Sequence, residues 1–182
     1  MSEAKKDLRR EITAFRRDMS ENVREESDEK IYNNLVALDF VRDCGTFLVY
    51  ASSPAEVDTR RFITEMLRKG RTVAVPKCEG RNMRFLSVNS LDELVKSSFG
   101  VDEPVRGTEI TEFSGTVCIV PALRFDRKGF RLGWGGGFYD RFLKDYTGHS
   151  VGICYEENCG EVPTDVYDIA VDAVITENGR YK

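Results

Sequence analysis

A chain of 182 residues, 41% hydrophobic and 32% charged, has the length and composition of one globular α/β-sized domain with a core of its own, and is not a disordered tract. Its net charge of −4 argues against general nucleic-acid binding, which needs a strong basic surplus. No run approaches the roughly 18 apolar residues of a membrane span, and the opening MSEAKKDLRREI lacks the apolar stretch of a secretory signal, so the cytoplasm is the expected compartment.

The first 43 residues read as helical. Leu8, Ile12, Phe15 and Met19 recur on one face of a 3.6-residue period, and Ser20 is placed to cap a second helix striped by Ile31, Leu35, Leu38 and Val41. The period then changes. Nearly continuous apolar runs at Thr46–Tyr50, Thr72–Val75, Val117–Val120, Val151–Cys154 and Val171–Ile175 predict strands covered on both faces. Thr59–Lys69 between the first two is an amphipathic helix, capped by Asp58 or Thr59 and ended by Gly70, which makes a βαβ unit. A second such unit runs from Val117 through a helix near Phe138–Asp145 to Val151. Met83–Val88 reads as an edge strand, Leu91–Val95 as a helical turn and Thr108–Ser114 as a loop. The expected architecture is a three-layer α/β fold, a mostly parallel sheet with helices on both faces, over residues 1–182 as a single domain.

Two residue types narrow the chemistry. The five cysteines have no C-x-x-C spacing, and Cys118 and Cys154 lie in apolar runs, so they read as buried thiols. His149 is the only histidine, which excludes a His-rich zinc site and disfavours a Ser-His-Asp triad; beside Gly148 it reads as a solvated turn residue.

The densest signal is Arg131-Leu-Gly-Trp-Gly-Gly-Gly-Phe-Tyr-Asp140-Arg141. Gly133, Gly135, Gly136 and Gly137 let backbone approach a ligand closely just before a helix start, where N–H groups favour an anion. Arg131 adds a fork-shaped cation suited to phosphate, and Asp140 a carboxylate able to hold magnesium on it. The turn follows the strand ending at Val120, at the sheet edge where open α/β folds bind ligands. Trp134, Phe138 and Tyr139 set aromatic surface beside it. No Lys-Ser or Lys-Thr follows the last glycine, so the turn is not a Walker A loop, and Phe138 and Asp140 break both possible G-x-G-x-x-G registers. A plain flexible turn is the competing reading.

Arg131–Arg141 resembles the R-L-G-x-G-x-G-[YF]-Y-D-R signature of the 5-formyltetrahydrofolate cyclo-ligases, also called methenyltetrahydrofolate synthetases. Four more segments are similar to that family in the same order: Lys5-Lys-Asp-Leu-Arg9, Glu56-Val-Asp-Thr59, Val120-Pro-Ala-Leu-Arg-Phe-Asp126, and Val162-Pro-Thr-Asp-Val-Tyr-Asp168 followed by Val171–Thr176. The resemblance implies ATP- and Mg2+-dependent cyclisation of the small-molecule substrate 5-formyltetrahydrofolate to 5,10-methenyltetrahydrofolate, with release of ADP and phosphate. It implies ATP contacts from Lys5, Arg9 and the turn Arg131, Leu132, Gly133, Trp134, Gly135, Gly136, Gly137, Phe138 and Tyr139. Lys5 and Arg131 take the catalytic charge-stabilising part. It implies folate contacts from Glu56, Ala51 and Trp134 through Phe138, and magnesium ligands at Asp140 and Asp168. A monomer is expected, without a membrane or nucleic-acid partner. Ala122, Arg124, Trp134 and Tyr167 depart from frequent family residues; none of these departures removes a group the reaction needs.

Phosphoryl transfer asks a protein mainly for positioning and charge stabilisation, which these residue types supply without a protein nucleophile. Arg10, Arg16 and Arg17, further along the basic amino-terminal stretch, read as a solvated helix face, and Asp126 as the residue ordering the turn before Gly129. Two rivals stay open: a folate- or nucleotide-binding regulator without turnover, and a sugar-phosphate isomerase or CoA-transferase-like enzyme on a related sheet.

Overall fold

A computed structural model describes residues 3–98 and 100–182; residues 1, 2 and 99 lie outside that description. Three helices come first, α1 (Glu3–Asp18), α2 (Glu21–Val36) and α3 (Asp39–Arg42), then β1 (Thr46–Val49), α4 (Arg60–Arg68), β2 (Thr72–Glu79) and β3 (Asn82–Val88). A short side hairpin follows, β4 (Leu94–Lys96) and β5 (Asp102–Pro104), with a 3-10 turn at Leu91–Glu93 leading into it. The second half holds β6 (Val117–Pro121), the small hairpin β7 (Arg124–Phe125) and β8 (Arg131–Leu132), α5 (Phe138–Leu143), β9 (His149–Ile153), β10 (Ala173–Thr176) and β11 (Gly179–Arg180). Among the described residues, no helix is long and apolar enough to cross a membrane.

Seven strands form one sheet in the order β11-β10-β9-β6-β1-β2-β3. The five central strands are parallel, and the two edge strands run antiparallel to their neighbours. The continuous apolar runs are explained by burial on both faces. Phe47, Val49, Ile119 and Val151 face α2, α3 and α4, against Ile31, Leu35, Val41, Phe62 and Ile63. Leu48, Ala74, Cys118, Val120 and Val174 face the other way, onto Leu143 of α5, Phe85 and Phe125. The structure is thus the three-layer, mostly parallel α/β fold expected.

Boundaries moved where local chemistry outweighed apolarity. The strand expected from Val171 begins at Ala173. His149, expected in a turn, is the first residue of β9 and stacks on Phe40 with ring centroids 4.7 Å apart, while remaining exposed. At the start of α4 Thr59 is the cap residue, but the Asp58 carboxylate accepts from the backbone N–H groups of Arg60 and Arg61 at 2.9 and 3.3 Å. The Thr59 hydroxyl instead donates back to the Tyr50 carbonyl at 2.5 Å, closing the loop that leaves β1.

Strand order decides where chemistry can sit. From β1 the chain moves one way to β2, then returns to lay β6 on the other side of β1. The loops leaving β1 and β6 therefore part at the carboxyl edge and leave a crevice between them. The β7–β8 hairpin is held down at this edge by Phe125, which is fully buried and lies across Gly152 of β9. A Cβ on Gly152 would stand 2.3 Å from that ring. We predict that Gly152→Ala costs about 2 kcal/mol by overpacking and that Phe125→Leu in the same chain recovers part of it, read as urea midpoints. An unchanged midpoint in the single variant would mean that the hairpin is not seated on the sheet as described.

Candidate functional site

The glycine turn is presented by the β7–β8 hairpin. Asp126 orders the hairpin tip as expected: its Oδ1 accepts from the N–H groups of Lys128 and Phe130, each at 2.9 Å. The chain then passes through Gly133–Gly137 into α5. Gly135 at φ +100° and Gly137 at φ +64° occupy conformations that other residues adopt only with strain, so the bends of the turn need glycine there.

Arg131 and Asp140 close the two ends of this turn on each other. The Arg131 guanidinium donates to Asp140 Oδ1 at 2.6 Å and to the Ile169 carbonyl at 2.6 Å. The Ile169 N–H donates to the same Asp140 oxygen at 3.1 Å. The Arg131 side chain is only 5% exposed. Burial pushes its pKa down from the usual arginine value, and the Asp140 charge is the largest influence pushing it back up. Turn, α5 and the 168–169 segment are in this way one ion-paired unit.

The amino-terminal helix is laid onto that unit. Leu8 and Ile12 of α1 pack against Leu123, Leu132 and Val162. Arg9 Nε donates to the Gly133 carbonyl at 2.8 Å, and Lys5 Nζ lies 3.4 Å from Asp168 Oδ2. The basic motif thus meets the glycine turn and the closing segment across 124 and 163 residues of chain.

Across the crevice, Ala51 is buried where β1 ends, and the half-buried Glu56 sits in the following loop. Glu56 Oε2 accepts from the Ser53 N–H and hydroxyl, both at 2.9 Å, which fixes the carboxylate. Tyr139 has a buried hydroxyl with no hydrogen-bond partner among the described residues. Burial, first, and then the neighbouring Cys118, Tyr50 and Glu56 push its pKa well up, so the hydroxyl stays protonated and Glu56 lies within its electrostatic reach. Trp134 stands 59% exposed on the turn, a large aromatic surface open to a ligand.

Asp140 and Asp168 approach through Ile169, which follows Asp168 and bonds to Asp140. Two carboxylates in adjoining segments are the donor type that magnesium takes, its octahedron being completed by phosphate and water. Among the described residues no three His, Cys, Asp or Glu side chains gather as a metal cage.

The reading of Arg16 is overturned. Arg16, read as part of a solvated face with Arg10 and Arg17, is 2% exposed. It donates to the Ala122 and Leu123 carbonyls at 2.8 and 2.9 Å and to Asn158 Oδ1 at 3.0 Å. The signal was its spacing: position 16 continues the four-residue step of Leu8 and Ile12, the face α1 turns inward. The cysteines are all free, and Cys154 and Cys159 have their sulfurs 3.5 Å apart.

Fold and site define an open α/β domain of the doubly wound kind, with its polar residues gathered at the carboxyl edge under an amino-terminal helix. Residues 1–177 match the model of the 5-formyltetrahydrofolate cyclo-ligase family, and the chain belongs to that family. It is similar to the 5,10-methenyltetrahydrofolate synthetase of Aquifex aeolicus, solved by NMR, at 33% identity and a TM-score of 0.84, covering 97% of this chain and 91% of that one. It is 29% identical to the 5-formyltetrahydrofolate cyclo-ligase of Escherichia coli K12, over 91% of this chain and 96% of that protein. It is also 29% identical to the mitochondrial 5-formyltetrahydrofolate cyclo-ligase of Arabidopsis thaliana, over 88% of this chain and 69% of that protein.

Because Arg131 is buried against Asp140, removing it strands a carboxylate. Arg131→Met is expected to lose about 3 kcal/mol of stability, and Asp140→Leu added to it to restore part of the loss, as a double-mutant cycle in urea will report. A single-variant loss below about 0.5 kcal/mol, the level of an ordinary surface change, would contradict the pairing.

Proposed function

We propose that this enzyme cyclises 5-formyltetrahydrofolate to 5,10-methenyltetrahydrofolate with ATP and magnesium, releasing ADP and phosphate, with residues 1–182 working as one domain. The observation that carries the reading is the seating of α1 on the glycine turn, through Arg9 to Gly133 and Lys5 to Asp168. Those two contacts bring the cations of α1 against the glycine turn and the closing segment, which supports a shared phosphate site.

A formamide carbon is a poor electrophile because its oxygen leaves badly. In the proposed sequence the formyl oxygen attacks the γ-phosphorus and the bond to the β,γ-bridging oxygen breaks, which gives ADP. The lone pair of N10 then attacks the formyl carbon, N10 loses its proton, and phosphate departs with the former formyl oxygen. Such a reaction is catalysed by alignment and by positive charge placed where phosphate charge builds up. The turn Arg131–Tyr139 cradles the phosphates with its N–H groups, and Lys5 and Arg9 neutralise them. Arg131, held by Asp140, gives the turn its shape and a positive field. Glu56, already fixed by Ser53, accepts from the pterin's N–H donors as charge-assisted hydrogen bonds, with Ala51 and the stretch Trp134–Phe138 bordering the folate. Asp140 and Asp168 would hold magnesium, which supplies charge neutralisation on the transferring phosphoryl group. The Lys5–Asp168 contact is then a resting arrangement, in which the lysine neutralises a carboxylate that the cation would otherwise meet.

Pure protein mixed with magnesium, ATP and 5-formyltetrahydrofolate is expected to develop the near-ultraviolet absorbance of the methenyl product, one ADP per product formed, and none without ATP. Tight binding of both substrates without ADP release would instead favour a regulator, and folate-independent behaviour would favour an enzyme of another class.

A further inference from the structure

The Arg16 guanidinium is buried under α1, where it meets segments leaving three strands at once. It donates to the Ala122 and Leu123 carbonyls just beyond β6, to Asn158 just beyond β9, and reaches the Ala55 carbonyl in the loop beyond β1 at 3.5 Å. Ala55 precedes Glu56, and Leu123 is bonded through its N–H to the carbonyl of Leu132, the residue before Gly133. One side chain therefore stands between the loop that carries Glu56 and the hairpin that carries the glycine turn. Arg24 braces the same join, donating to the Pro54 carbonyl at 2.6 Å and to the Arg16 carbonyl.

We infer that Arg16 is a positioning residue that sets the spacing between the Glu56 loop and the glycine turn, and so the alignment of formyl oxygen with γ-phosphorus. The inference rests on the proposed reaction. Its physical basis is geometric. A guanidinium is rigid and planar, and its fork fixes the directions of several acceptors relative to one another, which a lysine ammonium on a flexible stem does not do. It is buried and its N–H groups are taken up by protein acceptors, so no direct share in substrate affinity is expected of it. In-line transfer needs reacting atoms at about 3–3.5 Å, and a displacement of roughly 1 Å by a remote change is worth about a hundredfold in rate.

The test compares the unaltered protein with Arg16→Lys and Asn158→Ser, the second removing only the acceptor of Nε. Each is examined for its thermal midpoint, for kcat, and for KM toward ATP and 5-formyltetrahydrofolate. The expected result is a folded Arg16→Lys enzyme with kcat reduced at least tenfold and both KM values within about threefold of the original, and Asn158→Ser intermediate in kcat. If Arg16→Lys fails to fold, Asn158→Ser decides: a reduced kcat at constant KM supports the inference, and an unchanged kcat overturns it. A loss carried by KM in a folded variant overturns it as well. Turnover in the unaltered protein with no kcat change in the folded variants sinks the inference alone; no turnover in the unaltered protein sinks the proposed reaction and the inference with it.

Discussion

Taking a guanidinium out of water costs several kcal/mol unless its N–H groups find acceptors, so a buried arginine dictates what must surround it. Arg16 is such a group, and its acceptors come from the connections beyond β1, β6 and β9. Because it rides on α1, the same set of bonds fixes where that helix lies. Leu8 and Ile12 supply apolar contact, and Arg9 and Lys5 then fall onto the glycine turn and the closing segment. A helix that covers neither face of the sheet is in this way made part of the site.

The sheet contributes the place. Parallel strands put all their carboxyl ends at one edge, and the reversal of direction between β1 and β6 opens that edge. The two sides of the opening are built differently. On the β6 side a hairpin, an ion pair and two glycines at positive φ make a rigid backbone surface. On the β1 side a short loop is tied by side chains, with Ser53 holding Glu56 and Thr59 holding the Tyr50 carbonyl. In the proposed reaction the glycine wall, with Lys5 and Arg9 laid against it, would take the phosphate chain, and the fixed Glu56 carboxylate the amino and ring N–H donors of a pterin.

Much of this was legible in the chain itself. The strands announced themselves because burial on both faces leaves unbroken apolar runs, as at Val117–Val120, and α4 because Phe62, Ile63 and Met66 share a face. Pairing order was not legible, since β6 beside β1 is a matter of which apolar surfaces meet, and no local pattern encodes it. The glycine turn was visible because glycine is needed where φ turns positive, and Asp126 because its turn chemistry is local. Arg16 was misread for the opposite reason. Three of its acceptors, the Ala122 and Leu123 carbonyls and Asn158 Oδ1, lie more than a hundred residues away, so composition presented one more cation in a basic stretch. The ties of Lys5 to Asp168 and Arg131 to Ile169 were hidden in the same way, by sequence distance rather than by weak chemistry.

The proposed grip of α1 and the glycine turn on a single phosphate chain is open to direct observation. A structure of the chain with magnesium and a non-hydrolysable ATP analogue should show the phosphates between Lys5, Arg9 and the backbone of Gly133–Gly137, with Lys5 turned from Asp168 toward phosphate oxygen. Phosphates bound at any other edge of the sheet, or Lys5 still on Asp168 with the nucleotide in place, would contradict it.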